Sequence, residues 1–150
     1  MVISAVALGS NLGDRVAHLD FAVSKLRPLL RNLKVSRYYD TAPVGVPGPQ
    51  PLFLNAAAVG HTSMHARDLL DALLAIERER GRERPQANAP RTLDLDLILY
   101  GDFVLQEPDL IVPHPRFRER RFVLEPLVEI APGLVDPVTR KTVIQILIDL

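Results

Sequence analysis

The sequence predicts an α+β sandwich of the ferredoxin-like kind: an antiparallel sheet with helices packed on it, plus long loops and C-terminal helical additions. Three observations predict it. Period-two and period-3.6 hydrophobic runs follow one another in the order β-α-β-β-α-β, ending near Tyr100. Two of the connections are long and rich in proline and glycine or in arginine. At 150 residues, 47% hydrophobic and 24% charged, the chain has the size and composition of one domain, spanning 1–150.

Val2 to Leu8 is an apolar run closed by Gly9-Ser10-Asn11-Leu12-Gly13-Asp14, a strand and then a turn. A glycine-bounded turn before a helix invites a phosphate-loop reading, but no Lys-Ser/Thr follows Gly13. The other reading is a tight turn with Asp14 as N-cap. Val16, Leu19, Val23, Leu26 and Leu30 then recur at helical spacing, predicting a helix from Arg15 to about Leu30. Leu33, Val35, Arg37 and Tyr39 alternate with their neighbours as one strand over 32–39. Residues 40–51 hold four prolines and two glycines, either a functional lid or an excursion.

Leu52 to Thr62 reads as the third strand, with Phe53, Asn55 and Ala57 on one face. An asparagine there is either a satisfied core amide or the reader of a ligand's polar edge, with Phe53 beside it for stacking. Ser63 is the expected N-cap of a second helix whose stripe is Leu69, Leu70, Leu73, Leu74 and Ile76, ended by Gly81. A second loop delivers Arg82, Arg84 and Arg91 to the run Thr92-Leu93-Asp94-Leu95-Asp96-Leu97-Ile98-Leu99-Tyr100. Strict alternation makes this a strand, with Leu93, Leu95, Leu97 and Leu99 on one face and Asp94, Asp96, Ile98 and Tyr100 on the other. Gly101-Asp102 signals a hairpin with a returning strand at 103–105. A basic run over 116–121, a helix over 122–130 and a last helix over 142–150 complete the chain. In this order the first and the Asp-x-Asp strands are central or nearly so, and one sheet face is open for ligand.

Zero net charge removes the global field that would attract nucleic acid or a membrane surface. Only 5% of residues are aromatic, too few for an RNA-binding sheet. With no cysteine there is no disulfide framework or thiolate zinc site. There is neither an apolar run of membrane length nor a basic leader. The expectation is a cytoplasmic monomer acting on small molecules.

Asp94 and Asp96 stand about 6.6 Å apart along an ideal strand, repelling by about 2.5 kcal/mol at an effective dielectric near 20. They are either solvated acids on a half-buried strand or ligands for a hard divalent cation. Arg82, Arg84, Arg91, Arg116, Arg118, Arg120 and Arg121 offer planar donors for phosphate oxygens. His114, between two prolines, is structural or functional. The residues themselves lead to Mg²⁺-dependent phosphate-ester chemistry without a phosphate loop. A nucleotide- or RNA-binding module and a nucleotidyltransferase remain as alternatives.

Pro90-Arg91-Thr92-Leu93-Asp94-Leu95-Asp96 closely resembles the signature of the 6-hydroxymethyl-7,8-dihydropterin pyrophosphokinases of folate biosynthesis. The likeness continues in Ala7-Leu8-Gly9-Ser10-Asn11-Leu12-Gly13-Asp14, Phe53-Leu54-Asn55-Ala56-Ala57, Val112-Pro113-His114 and Glu129-Ile130-Ala131-Pro132. It implies transfer of pyrophosphate from ATP to the pterin hydroxymethyl group, releasing AMP. It further implies that Asp94 and Asp96 hold a pair of Mg²⁺ ions and that Asp96 also orients the attacking hydroxyl. Glu77, Arg82, Arg84, Arg91, Ile98, His114 and Arg120 would contact ATP, with Arg82 and Arg91 catalytic. Phe53 and Phe122 would sandwich the pterin, and Asn55, Thr41, Ala42 and Val44 would read its edge. Ala87 and Asn88 stand where the family often carries Arg-Trp, which removes an aromatic from over the pterin.

Overall fold

The computed structural model describes residues 1–42, 52–81 and 92–150. Its main sheet is antiparallel. β1 (Val2–Ser10) lies between β4 (Phe53–Thr62) and β5 (Asp94–Tyr100), and β2 (Arg31–Val35) and β3 (Tyr39–Thr41) pair one after the other with the far edge of β4. β1 is therefore interior, as expected, but β5 is an edge strand among the described residues. A second, two-stranded sheet joins β6 (Leu105–Glu107) to β7 (Leu110–Val112).

α1 (Arg15–Leu26) and α2 (Ala66–Glu79) cover one face of the main sheet. Their Leu19, Ala22, Leu26, Leu69 and Leu73 are wholly buried against Val6, Leu8, Leu54, Ala56, Ala58, Leu95 and Leu97. Asp14 is the N-cap of α1, its carboxylate accepting from Ala17 N at 3.1 Å, so the tight-turn reading of 9–14 holds. The helix stops four residues before the predicted end; Leu29 and Leu30 close it with turn bonds to the Leu26 carbonyl, which still buries Leu30.

The other face is not open, contrary to expectation. α3 (Arg121–Ile130) and α4 (Val143–Asp149) pack there on Ala5, Ala57, Val59, Ile98 and Leu99, with Phe117 wholly buried among them. α4 begins with a reciprocal capping box between Thr142 and Gln145. Bidentate pairing of Arg118 with the buried Asp136, at 2.5 and 3.0 Å, ties the segment before α3 to the turn before α4.

Four further expectations are corrected. The strand over 32–39 is two strands: β2 ends at Val35, Ser36 N keeps one backbone bond to the Ala57 carbonyl at 2.9 Å, and β3 starts only at Tyr39. Ser36 Oγ then accepts from Ala57 N at 2.9 Å in place of a backbone carbonyl. The N-cap of α2 is His65 rather than Ser63. The returning strand lies at 105–107 and pairs with β7, not with β5. Finally, β5 carries a bulge: Ala5 pairs with Leu99 but Val6 with Leu97, so Ile98 is the extra residue. Beyond it the faces exchange, sending Tyr100 to the α1/α2 core and Leu99 to the α3 core. The Ile98 carbonyl is taken by His114 N at 2.9 Å.

Candidate active site

The α3 face divides into a filled half and an open end, and the strand register explains why. Along β1 the residues on this face are Ala5, Ala7 and Gly9, all small and the last without a side chain. Gly9 pairs with Asn55 on one side and Asp94 on the other, while Ala7 pairs with Ala57 and Asp96. Asn55 and Asp94 thus stand two strand spacings apart, about 10 Å, across a glycine floor. A Cβ on Gly9 would meet Asn55 Oδ1 at 3.0 Å and Phe53 Cδ1 at 3.8 Å, so glycine is what lets these side chains lie over the floor. Asp94 and Asp96 share the face and are half-buried.

Asn55 is buried, and its Nδ2 donates to Thr41 Oγ1. Thr41 in turn pairs with Phe53 in the β3–β4 ladder. The amide plane is held by this bond while its carbonyl oxygen looks over Gly9. Phe53 is half-buried, and Ala42 is exposed just past the end of β3. Phe122 lies in the first turn of α3, packed on the second core cluster, with the Arg120 guanidinium 5.7 Å from its ring centroid.

The open edge of β5 forms the second part of the site. A cavity of about 250 Å³ lies between α2, β5 and β7, lined among others by Leu70, Leu74, Glu77, Asp96, Ile111 and His114. Glu77, buried on α2, accepts from Leu95 N at 2.7 Å and so occupies the outer edge of β5 between the two aspartates. His114 offers Nδ1 to Arg116 N at 3.2 Å, which requires that nitrogen to be unprotonated. Burial lowers its pKa to about 4; Arg120 and Arg116 add to this and Asp94 opposes it. It is therefore a neutral imidazole at neutral pH, within electrostatic reach of both Arg120 and Asp94. Ile98 stands apart: its side chain is buried in the second core cluster, and it meets His114 through its carbonyl.

Of the residues expected to act together, Asp94, Asp96, Glu77 and His114 converge at the β5 edge, and Phe53, Asn55 and Thr41 at the β4 edge. Val44, Arg82, Arg84 and Arg91, with Ala87 and Asn88, lie outside the described residues. The sequence points to Ala7 and Gly9 only through the turn and the family resemblance, although Ala5-x-Ala7-x-Gly9 is a period-two stripe of small residues. The apolar cavity walls Leu70 and Leu74 carry in the sequence only the signal of a helix stripe.

Among the described residues no cluster of three or more His, Cys, Asp or Glu could by itself hold a metal ion. The donor set fits a hard cation nonetheless: two carboxylates on one face, beside a cavity wide enough for a ligand to complete the shell with its own oxygens.

A carboxylate pair beside an open cavity on an α+β sandwich is an arrangement suited to phosphate-transfer chemistry. Residues 5–132 match the family model described as 7,8-dihydro-6-hydroxymethylpterin-pyrophosphokinase. A 2-amino-4-hydroxy-6-hydroxymethyldihydropteridine pyrophosphokinase of Synechocystis sp. is 42% identical over 147 residues, covering 96% of this chain and 74% of that protein. Its namesake in Pseudomonas aeruginosa is 45% identical over 131 residues, covering 86% and 80%. The chain belongs to the 7,8-dihydro-6-hydroxymethylpterin-pyrophosphokinase family. In the solved Plasmodium falciparum HPPK-DHPS with pteroate, the match covers 99% of this chain with a TM-score of 0.81 at 13% identity, a likeness of fold. The chain spans only 44% of that longer protein.

Proposed function

We propose that this chain transfers the terminal pyrophosphate of ATP to the hydroxymethyl group of 6-hydroxymethyl-7,8-dihydropterin, releasing AMP, as a single-domain cytoplasmic monomer. The observation that carries the reading is the register at Gly9: an amide and an aromatic on one side, a carboxylate pair on the other, on one sheet face. A flat ring lying over the glycine floor from Asn55 brings a substituent toward Asp94 and Asp96. The spacing of about 10 Å suits a bicyclic ring and one extra carbon.

In this reading Phe53 and Phe122 hold the ring faces, and Asn55 with the Thr41–Val44 stretch reads its polar edge. The cavity beside Glu77 and His114 takes the nucleotide, whose phosphates run toward the aspartates. His114 donates through Nε2 as a neutral imidazole, and Arg120 adds fixed positive charge. Arg82, Arg84 and Arg91 bring further planar donors to the phosphates, with Arg82 and Arg91 acting on the transferred group. Asp94 and Asp96 would hold a pair of Mg²⁺ ions, which when bound neutralise the triphosphate charge. Asp96, nearer the cavity, orients the hydroxyl and draws off its proton as the oxygen attacks the β-phosphorus. The bond from that phosphorus to the α–β bridging oxygen breaks, and AMP carries the bridging oxygen away. Positioning and charge neutralisation suffice for such a transfer, which fits a site without a nucleophilic cysteine.

Product analysis tests the reading. Incubation with ATP, Mg²⁺ and the dihydropterin should yield AMP in step with pterin pyrophosphate, and no AMP when the pterin is left out. Release of free inorganic pyrophosphate instead would make the chain a nucleotidyltransferase.

A further inference from the structure

We propose that Glu129 and Arg15 are positioning residues for the ring site, pinning β3 from opposite faces of the sheet so that Thr41 holds the Asn55 amide in one plane. The inference rests on the pterin reading above. β3 is a three-residue edge strand with three ladder pairs, too short to fix its own place. Every one of its side chains is bonded to a different element. Tyr39 pairs with Asn55 and so shares the ligand face; its hydroxyl donates to Glu129 Oε1 near the end of α3. Glu129 also accepts from Arg37 N at 2.9 Å and from Arg37 Nε at 3.3 Å. Asp40 faces the other way, where Arg15 Nη1 donates to its carboxylate at 2.8 Å and to the Leu52 carbonyl at 2.9 Å.

Arg15 therefore staples the two chain stretches that meet at the β3–β4 end, Asp40 and Leu52, to the first turn of α1. Just before β3, Tyr38 adds a second tie to α1 by donating to Asp20 at 2.6 Å. The last β3 residue, Thr41, is left with one task in this network: its Oγ1 accepts from Asn55. A shift of β3 in or out of the sheet edge moves that oxygen and rotates the amide over Gly9. Nothing in this chain of bonds touches the cavity at the β5 edge, so its loss should be felt at the ring end only.

Calorimetric titration with 6-hydroxymethyl-7,8-dihydropterin, in the presence of Mg²⁺ and a nonhydrolysable ATP analogue, tests this on Glu129→Gln, Arg15→Gln and Tyr39→Phe. Each should weaken pterin binding about three- to five-fold, the scale of one exposed ion pair, and leave nucleotide binding unchanged. Tyr39→Phe removes a single hydroxyl and keeps the fold if the other variants lose it. In a Thr41→Val background, where the orienting bond is already gone, Tyr39→Phe should add nothing. Unchanged pterin binding, equal weakening of both ligands, or full addition in the Thr41→Val background overturns the inference. Failure of the unaltered chain to bind pterin removes the site reading and the inference together; normal binding by all three variants removes the inference alone.

Discussion

The two faces of the main sheet are built from the same strands and do opposite things. On the α1/α2 face, alternate residues of β1, β4 and β5 are Val6, Leu8, Leu54, Leu95 and Leu97, and two helices bury them, leaving a cavity only where Leu95 and Leu97 meet α2 and β7. On the α3 face the matching positions are the small residues Ala5, Ala57, Ala7 and Gly9, and the polar residues Asn55, Asp94 and Asp96 gather beside Ala7 and Gly9. The sealed face supplies the rigidity. The other face gives up apolar burial at one end, and carboxylates that would be costly in a core can there face a ligand.

The comparison breaks most visibly at the aspartates. Asp94→Ala and Asp96→Ala should each lower turnover at least about a hundred-fold, because the charge stabilisation lost is several kcal/mol. Their thermal midpoints should stay near that of the parent, which steady-state rates and melting curves check together. The reverse pattern is expected of Leu73→Ala on the sealed face. Leu73 is wholly buried, so the truncation should cost about 2–5 kcal/mol in denaturant unfolding while the folded fraction turns over normally.

Gly9→Ala sits between these extremes. Its Cβ would press on Asn55 Oδ1 at 3.0 Å, so pterin affinity should fall about ten-fold with nucleotide affinity kept. A further effect is a pH slope. His114 is neutral in the folded chain until about pH 4, whereas its ordinary value is 6.5. Below 6.5 the unfolded chain binds a proton that the folded chain refuses, so stability should fall with pH down to about 4 and then level off. Denaturant midpoints across that window should show the slope, and His114→Asn should flatten it.

Much of this was legible in the residues, and the failures are instructive. Alternating Leu and Asp in 93–97 reports its own faces, and the structure keeps them. Past Leu97 the run Ile98-Leu99-Tyr100 is apolar throughout, so no polar residue records the bulge that exchanges the faces. The break between β2 and β3 was hidden because Ser36, replacing a backbone acceptor with its hydroxyl, looks like any outward residue in an alternating strand. Ser63 has the residue type of a cap, yet α2 starts after His65 without a side-chain cap. The edge position of β5 depends on pairings between distant segments and has no local signature; it matters because that edge is where the cavity opens. Phe53 and Asn55 stand out in the sequence because an amide in an apolar strand is out of pattern, whereas Gly9 looks like part of a turn.

The division of labour between the faces can be tested directly with Mn²⁺ in place of Mg²⁺. In the presence of a nonhydrolysable ATP analogue, paramagnetic broadening of backbone amide signals should centre on Asp94–Asp96 and Ala7–Gly9. It should fade toward Asn55 and leave the α1 residues of the opposite face, Leu19, Ala22 and Leu26, sharp. Broadening centred anywhere else, or unchanged by Asp94→Asn together with Asp96→Asn, would contradict the account.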